Sequence, residues 1–253
     1  MSQQQTESRT SRRKWARRTS VWVFSFTLVA GTAVLPAAGP SADSSSAPRF
    51  LSPSDEVLTS YRAFRRMHAK SEKFNQEGWL DAWTEMDSNG FRYTIVSERG
   101  SDYVRNRVLK AVLQREQEIV AGGADRAALT DENYTFSESE PEDGLRYVLL
   151  KPKRKDVMLV EGRMVLDADN GDLLRVEGKL SKNPSFWTSL VNVIRHFAKL
   201  DGVRVPVSTE SVAKVKFAGE SRLDVFYLYE SINGRPVSVA ARRMLASAGV
   251  GNR

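Results

Sequence analysis

Apolar and polar positions alternate along most of this chain, and the alternation has the two-residue period of half-buried strands. In 158–166, Met158, Val160, Gly162, Met164 and Leu166 face one way, and Leu159, Glu161, Arg163 and Val165 the other. In 173–180, Leu174, Val176, Gly178 and Leu180 oppose Leu173, Arg175, Glu177 and Lys179. Phe91, Tyr93 and Ile95 oppose Arg92, Thr94 and Glu98. Leu223, Val225, Tyr227 and Tyr229 oppose Asp224, Phe226, Leu228 and Glu230.

Three Asn-Gly pairs sit between such runs, at Asn89-Gly90, Asn170-Gly171 and Asn233-Gly234. Asn-Gly adopts the left-handed conformations that two-residue hairpin turns require, so each pair predicts a hairpin. The runs joined are 79–86 with 91–98, 158–167 with 173–180, and 223–230 with 235–239. Further strands are expected at 61–70, 145–151, 190–198, 203–207 and 211–217.

A helical period interrupts the strands. Ser101-Asp102 offers a cap and a first-turn acid. Val104, Val108, Ala111 and Val112 then recur on one face until Gly122-Gly123. A shorter helix is expected at 54–60. The fold class is therefore α+β, mainly β: a large antiparallel sheet with one or two helices covering its apolar face.

The first residues change the picture of where the chain works. Arg12, Arg13, Lys14, Arg17 and Arg18 precede an apolar run from Val21 to Leu35, and small residues with prolines follow. Basic, apolar and small-residue segments in that order form an export signal, with cleavage expected near Gly39. The run of 15 residues falls short of the roughly 20 that a spanning helix needs. A signal-anchored form is the alternative. Ser11-Arg12-Arg13-Lys14-Trp15 also resembles a twin-arginine signal. The expected organisation is signal 1–39, a Ser/Ala/Pro-rich linker 40–53, one domain 54–240 and a flexible tail 241–253. The expected location is the periplasm.

Charge follows from that division. The net +7 of the chain includes a net +5 in residues 1–39, which leaves +2 for the mature part. Net charge therefore gives no case for nucleic-acid binding. The chain has no cysteine. It cannot carry a lipid on a cleavage-site Cys, form a disulfide or bind zinc through thiolates.

Catalytic chemistry is sparse. The two histidines, His68 and His196, have no nucleophile at workable spacing, and no catalytic elbow or phosphate loop is present. The Asp167–Asp172 stretch resembles a calcium loop, but its Gly is fifth instead of sixth, and Gly178 stands where the Glu should be. Lys151–Lys155 is a basic run, either a solvated loop or a contact for anionic headgroups or an acidic partner. No enzyme, cofactor or metal is expected.

The hairpin Glu161–Glu177, the later Asp201-Gly-Val-Arg-Val-Pro206 and the signal together resemble the outer-membrane lipoprotein carrier superfamily, LolA/LolB-like, which includes RseB-type periplasmic regulators. The likeness covers roughly residues 56–235. It implies an unclosed β half-barrel with helices over its concave face, and a cavity for acyl chains. The expectation is a non-enzymatic, monomeric binding protein for a lipid or lipoprotein acyl chain, with transient membrane-surface contact. Phe91, Tyr93, Met158, Val160, Met164, Leu166 and Val176 are the candidate cavity residues. The alternative is an interaction or regulatory module with a filled core and an envelope protein partner.

Overall fold

The alternating runs pair into one antiparallel sheet whose two ends never meet. The computed structural model describes residues 55–247, apart from 187, 217 and 218. The expected signal lies outside the described residues, as does the linker.

The strands are β1 (Tyr61–Ser71), β2 (Gln76–Asp87), β3 (Gly90–Gly100), β4 (Tyr134–Glu138), β5 (Leu145–Pro152), β6 (Val160–Asp167), β7 (Leu173–Leu180), β8 (Thr188–Leu200), β9 (Val203–Val215), β10 (Gly219–Ile232) and β11 (Arg235–Pro236). Their spatial order is β3-β2-β1-β10-β9-β8-β7-β6-β5-β4, with β11 on β10. Two meanders thus join where β1 meets β10. The result is the unclosed half-barrel that the family resemblance implies.

The order places β3 on one edge and β4 on the other. The chain must cross the whole sheet between them, and it does so as a helix. Segment α1 (Asp102–Val104) continues through a π-helical turn, Arg105–Leu109, into α2 (Lys110–Ala121). Ser101 caps the start by accepting from Val104 N–H at 3.5 Å. Val104, Leu109, Val112 and Leu113 are buried against the sheet, as the helical period requires.

All three Asn-Gly pairs make their turns. The third leads into a strand of two residues only, because Pro236 has no N–H to extend the ladder. Other expectations are corrected. The runs 203–207 and 211–217 are one strand, β9, with Val203, Val205, Val207, Thr209, Ser211, Ala213 and Val215 all inward and buried. A bulge between Val165 and Leu166 pairs Leu166 with Leu173, so Leu173 is buried in place of Leu174. Strand β4 carried too short a pattern to be found.

The helix expected at 54–60 is absent from its described part, 55–60. The Asn233 side chain holds that segment extended. Its Oδ1 accepts from Thr59 N–H at 2.7 Å and Ser60 N–H at 3.2 Å, and its Nδ2 donates to Val57 O at 2.8 Å. These bonds take up the backbone groups a helix would use. At the other end, where a flexible tail was expected to begin, α3 (Val239–Ser247) forms and buries Ala241 and Leu245.

The sheet's inner face carries two separate apolar clusters. The first joins β1, β2, β10, the start of β9, the helix and α3, through residues such as Met67, Leu80, Val112, Val225 and Leu245. The second joins β4 to β8 and the end of β9, through Val148, Met164, Val176, Val193 and Ala213. Strand β9 belongs to both. Its polar inward residues, Thr209 and Ser211, lie between its two apolar halves.

Candidate functional site

The seam between the clusters is a cleft beneath α2. Its floor is Leu223, Val225 and Tyr227 of β10, Thr209 and Ser211 of β9, and Val193 and Arg195 of β8. Leu180 of β7 and Arg65 of β1 complete its sides, and Val112 and Glu116 of α2 form its roof. The apolar members come from both clusters. About 30 Å³ of open space remains, enough for one or two waters.

Two arginines set the electrostatics. Both stand at inward strand positions where alternation calls for an apolar residue. Arg65 is 2% exposed. It donates to both Glu116 carboxylate oxygens, at 2.5 Å from Nη1 and 2.8 Å from Nη2, and to the Tyr61 hydroxyl at 2.7 Å. Its guanidinium also lies 4.7 Å from the Tyr227 ring centre and 5.1 Å from that of Phe91. This fork ties the helix roof to the sheet. Burial alone would pull the Arg65 pKa down, but Glu116, Tyr61 and Tyr227 together outweigh it and hold the group well above its ordinary value. Arg65 Nε is buried and makes no hydrogen bond.

Arg195 is 4% exposed, and its Nε donates to Thr209 Oγ1 at 3.1 Å. Burial lowers its pKa, against the pull of Tyr227 and Glu116 and with the push of Arg65. The cleft lining therefore combines apolar walls with two guanidiniums, one carboxylate and the hydroxyl-bearing Thr209, Ser211 and Tyr227.

The residues expected to line a cavity are all inward-facing, but they do not gather in this cleft. Phe91 and Tyr93 pack in the first cluster. Val160, Met164, Leu166 and Val176 pack in the second. Met158 precedes β6 and packs with Ile119 and Ala127 in a small third cluster near the end of α2. None of the seven borders the 30 Å³ space. The sequence reasoning passed over Arg65, Glu116, Arg195, Thr209 and Ser211. The available signal was a charged residue in phase with apolar neighbours: Arg65 between Ala63 and Met67, and Arg195 between Val193 and Phe197.

The other motifs resolve into local structure. Asp167 Oδ1 accepts from the N–H groups of Asp169 at 2.9 Å and Asn170 at 3.2 Å, and Asn170 Oδ1 from Asp172 N–H at 2.7 Å. Asp172 also pairs with Arg204. The loop's acids thus serve a hairpin turn. In the basic run, Arg154 bonds Asn133 at 2.5 Å and the Arg126 carbonyl at 2.6 Å, and Lys153 bonds the Asp131 carbonyl. These bonds fasten β5 to the segment before β4. His68 on β1 stacks on Trp79 with ring centres 4.7 Å apart, and His196 lies on β8, with β10 and β9 between those two strands.

No protein-family model matches the chain, and no curated protein is significantly similar to it. Among solved structures, it is similar to a LolA superfamily protein from Nitrosomonas europaea. That match has 11% identity and a TM-score of 0.38, and covers 70% of this chain and 89% of the other. A DUF1329 family protein from Desulfovibrio piger matches at 11% identity and a TM-score of 0.32, over 68% of this chain and 85% of that one.

Proposed function

We propose that this chain is an exported, non-enzymatic binding protein that holds an apolar chain in the cleft beneath α2. One observation carries the reading: the inner face is split into two apolar clusters, and the cleft lies on their seam under a single crossing helix. An acyl chain laid along the seam touches apolar walls on both sides. The inward candidates Phe91, Tyr93, Val160, Met164, Leu166 and Val176 form the depth of those walls, with Met158 beside the end of α2, and a long chain reaches them as it spreads the seam.

The cleft as it stands admits water and not a chain, so α2 must lift. Lifting it exposes Val112 and Leu113, at about 1.5–3 kcal/mol each. Each buried CH₂ of a ligand returns about 0.8 kcal/mol. A chain of about four to eight methylenes offsets the displacement, and chains shorter than about four do not. The proposed ligand class is therefore a lipid or lipoprotein acyl group met outside the cytoplasm.

The test is native mass spectrometry of the protein purified from its own cell envelope, before and after organic extraction. The expected result is an added mass that extraction removes and that a lipid of at least eight carbons restores. A bare protein that gains no mass from any lipid sinks the reading. The narrowness of the cleft favours a second reading, an envelope interaction module with a filled core. That reading expects the bare mass together with a specific crosslinked protein.

A further inference from the structure

We propose that one end of the sheet docks on the surface of an anionic phospholipid bilayer, through Phe74, Phe186 and the lysines around them. The inference goes beyond the ligand in the cleft and stands whether or not the cleft is filled.

Antiparallel pairing sends alternate links to opposite ends of a sheet. The links β1–β2, β9–β10 and β7–β8 share one end, because Ser71 pairs with Gln76 and Ser221, and Val215 with Gly219 and Thr188. Phe74 in the first link is 57% exposed, and Phe186 in the third is 78% exposed. A single exposed apolar residue is ordinary on a protein surface. Here the exposed aromatic side chains among the described residues are Phe74, Tyr103 and Phe186, and all three stand at this end. The two phenylalanine links are about four strand spacings apart, roughly 19 Å along the rim. Rings so far apart share no pocket, whereas a plane surface meets both.

Charge separates the two ends. Lys70, Lys155, Lys182 and Lys214 are exposed at the phenylalanine end and form no ion pair among the described residues. Lys216 holds its ammonium 4.3 Å from the Phe186 ring centre. Glu72, Glu77 and Glu220 are the acids close to these lysines, and Asp131 and Glu132 precede β4 at the sheet's far edge. Asp102 and Asp156 are paired, with Arg105 and Arg126. The links at the other end, 88–89, 139–144, 168–172, 201–202 and 233–234, carry Glu140, Glu142, Asp143, Asp169, Asp172 and Asp201, and no basic residue. An anionic bilayer therefore attracts one end and repels the other. Each lysine near such a surface is worth about fivefold in affinity. Aromatic rings are favoured at the headgroup level, where the lysines would place these two. Leu180, which lines the cleft, ends β7 beside the Phe186 link, so docking turns that wall toward the bilayer.

Vesicle co-sedimentation tests the docking end, with pure phosphatidylcholine and with an equal mixture of phosphatidylcholine and phosphatidylglycerol. Binding should be at least about tenfold tighter on the mixture, and high salt should erase the difference. Lys182→Glu with Lys216→Glu should weaken binding to the mixture at least about tenfold. Phe74→Ser with Phe186→Ser should weaken it by a similar factor. Arg66→Glu with Arg107→Glu, the same charge change at exposed positions elsewhere, should weaken it less than about threefold. The chain has no cysteine, so a polarity-sensitive dye on Glu72→Cys or on Glu140→Cys reports one end at a time while every ring stays in place. The dye on Glu72→Cys should brighten with the mixed vesicles, and the dye on Glu140→Cys should not. Equal binding to both vesicles, brightening at position 140 in place of 72, or an arginine pair as damaging as the lysine pair overturns the docking end. A crosslinker on Glu72→Cys that captures an envelope protein while neither vesicle binds overturns it in favour of a protein partner. Each of these failures leaves the apolar-chain function standing, since the extracted mass tests that separately.

Discussion

At the scale of single residues, the decisive feature is a charge placed where the pattern calls for a methyl group. Arg65 sits inward on β1 and is stabilised there by Glu116. Removing one member of a buried pair strands the other, which costs about 3–5 kcal/mol, whereas replacing both with apolar residues is often neutral. Glu116→Ala should therefore lower stability by about 3–5 kcal/mol. Arg65→Met combined with Glu116→Leu should recover most of that loss. A denaturant double-mutant cycle measures the difference, and a double variant as unstable as Glu116→Ala would refute the pairing argument.

Asp224 on the outer face gives an opposite case. Burial, and then Glu210 across the strand pair, raises its pKa against the pull of Arg222 and His68. A carboxyl whose folded pKa is raised binds its proton more tightly in the folded state. Stability then falls as pH rises from the unfolded value, about 3.9, through the folded one. Asp224→Asn should remove that fall. The variant should match the parent at pH 3 and exceed it at pH 7, by less than about 1 kcal/mol given the partial exposure. A loss of stability at pH 7 would show instead that the His68 contact at 3.9 Å governs. Arg65 stands in the sequence as a departure from alternation, whereas Asp224 keeps it. The partner of Arg65 was not legible, because Glu116 is 51 positions away, and only the fold brings them together.

At the scale of elements, the strands and the crossing helix were legible because each carries its period within a short window. What escaped was set by contacts between elements. Segment 55–60 is held by Asn233, more than 170 positions away. The bulges that swap Leu173 for Leu174, and that leave Val96 exposed beside Ile95 on β3, depend on the partner strand's register. Gly162 and Gly178 belong to the same class. They face each other across β6 and β7, and the backbones approach so closely that a Cβ on Gly162 would lie 2.6 Å from the Gly178 Cα. A Cβ on Gly178 would lie 2.7 Å from the Gly162 Cα. The sequence shows two glycines in strand patterns but cannot show that they meet. This close approach lets the sheet bend without side chains between the strands. Gly162→Ala should force the strands apart and cost about 1–3 kcal/mol, a typical figure for a strained site. Thermal unfolding reads the effect, and an unchanged midpoint would mean that the pair has room to separate.

At the scale of the whole molecule, the route of the chain explains why the cleft is where it is. The sheet's edges are β3 and β4, and the chain passes from one to the other across the inner face as α1 and α2. The crossing helix must lie over the seam between the two clusters. The buried faces of Val104, Leu109, Val112 and Leu113 hold it near β1–β3, and the Arg65–Glu116 pair pins its middle. At its far end Ile119 packs with Ala127 and Met158 in the small third cluster. The π-helical turn at Arg105–Leu109 adds a point of irregular bonding at the base of the helix, and such turns are frequent at functional sites. The helix should therefore open at lower free energy than the strands that it covers. In native-state hydrogen exchange, amides of 110–121 should exchange well before those of β1, β9 and β10, and in an opening that leaves those strands protected. Arg65→Met with Glu116→Leu removes the pin without stranding a charge, so it should speed exchange in 110–121 more than in the strands. Dodecanoate should slow it, because a ligand that fills the seam rests against the helix. If 110–121 exchanges together with β10 under all three conditions, the helix is an inseparable part of the core, and no chain reaches the seam by lifting it.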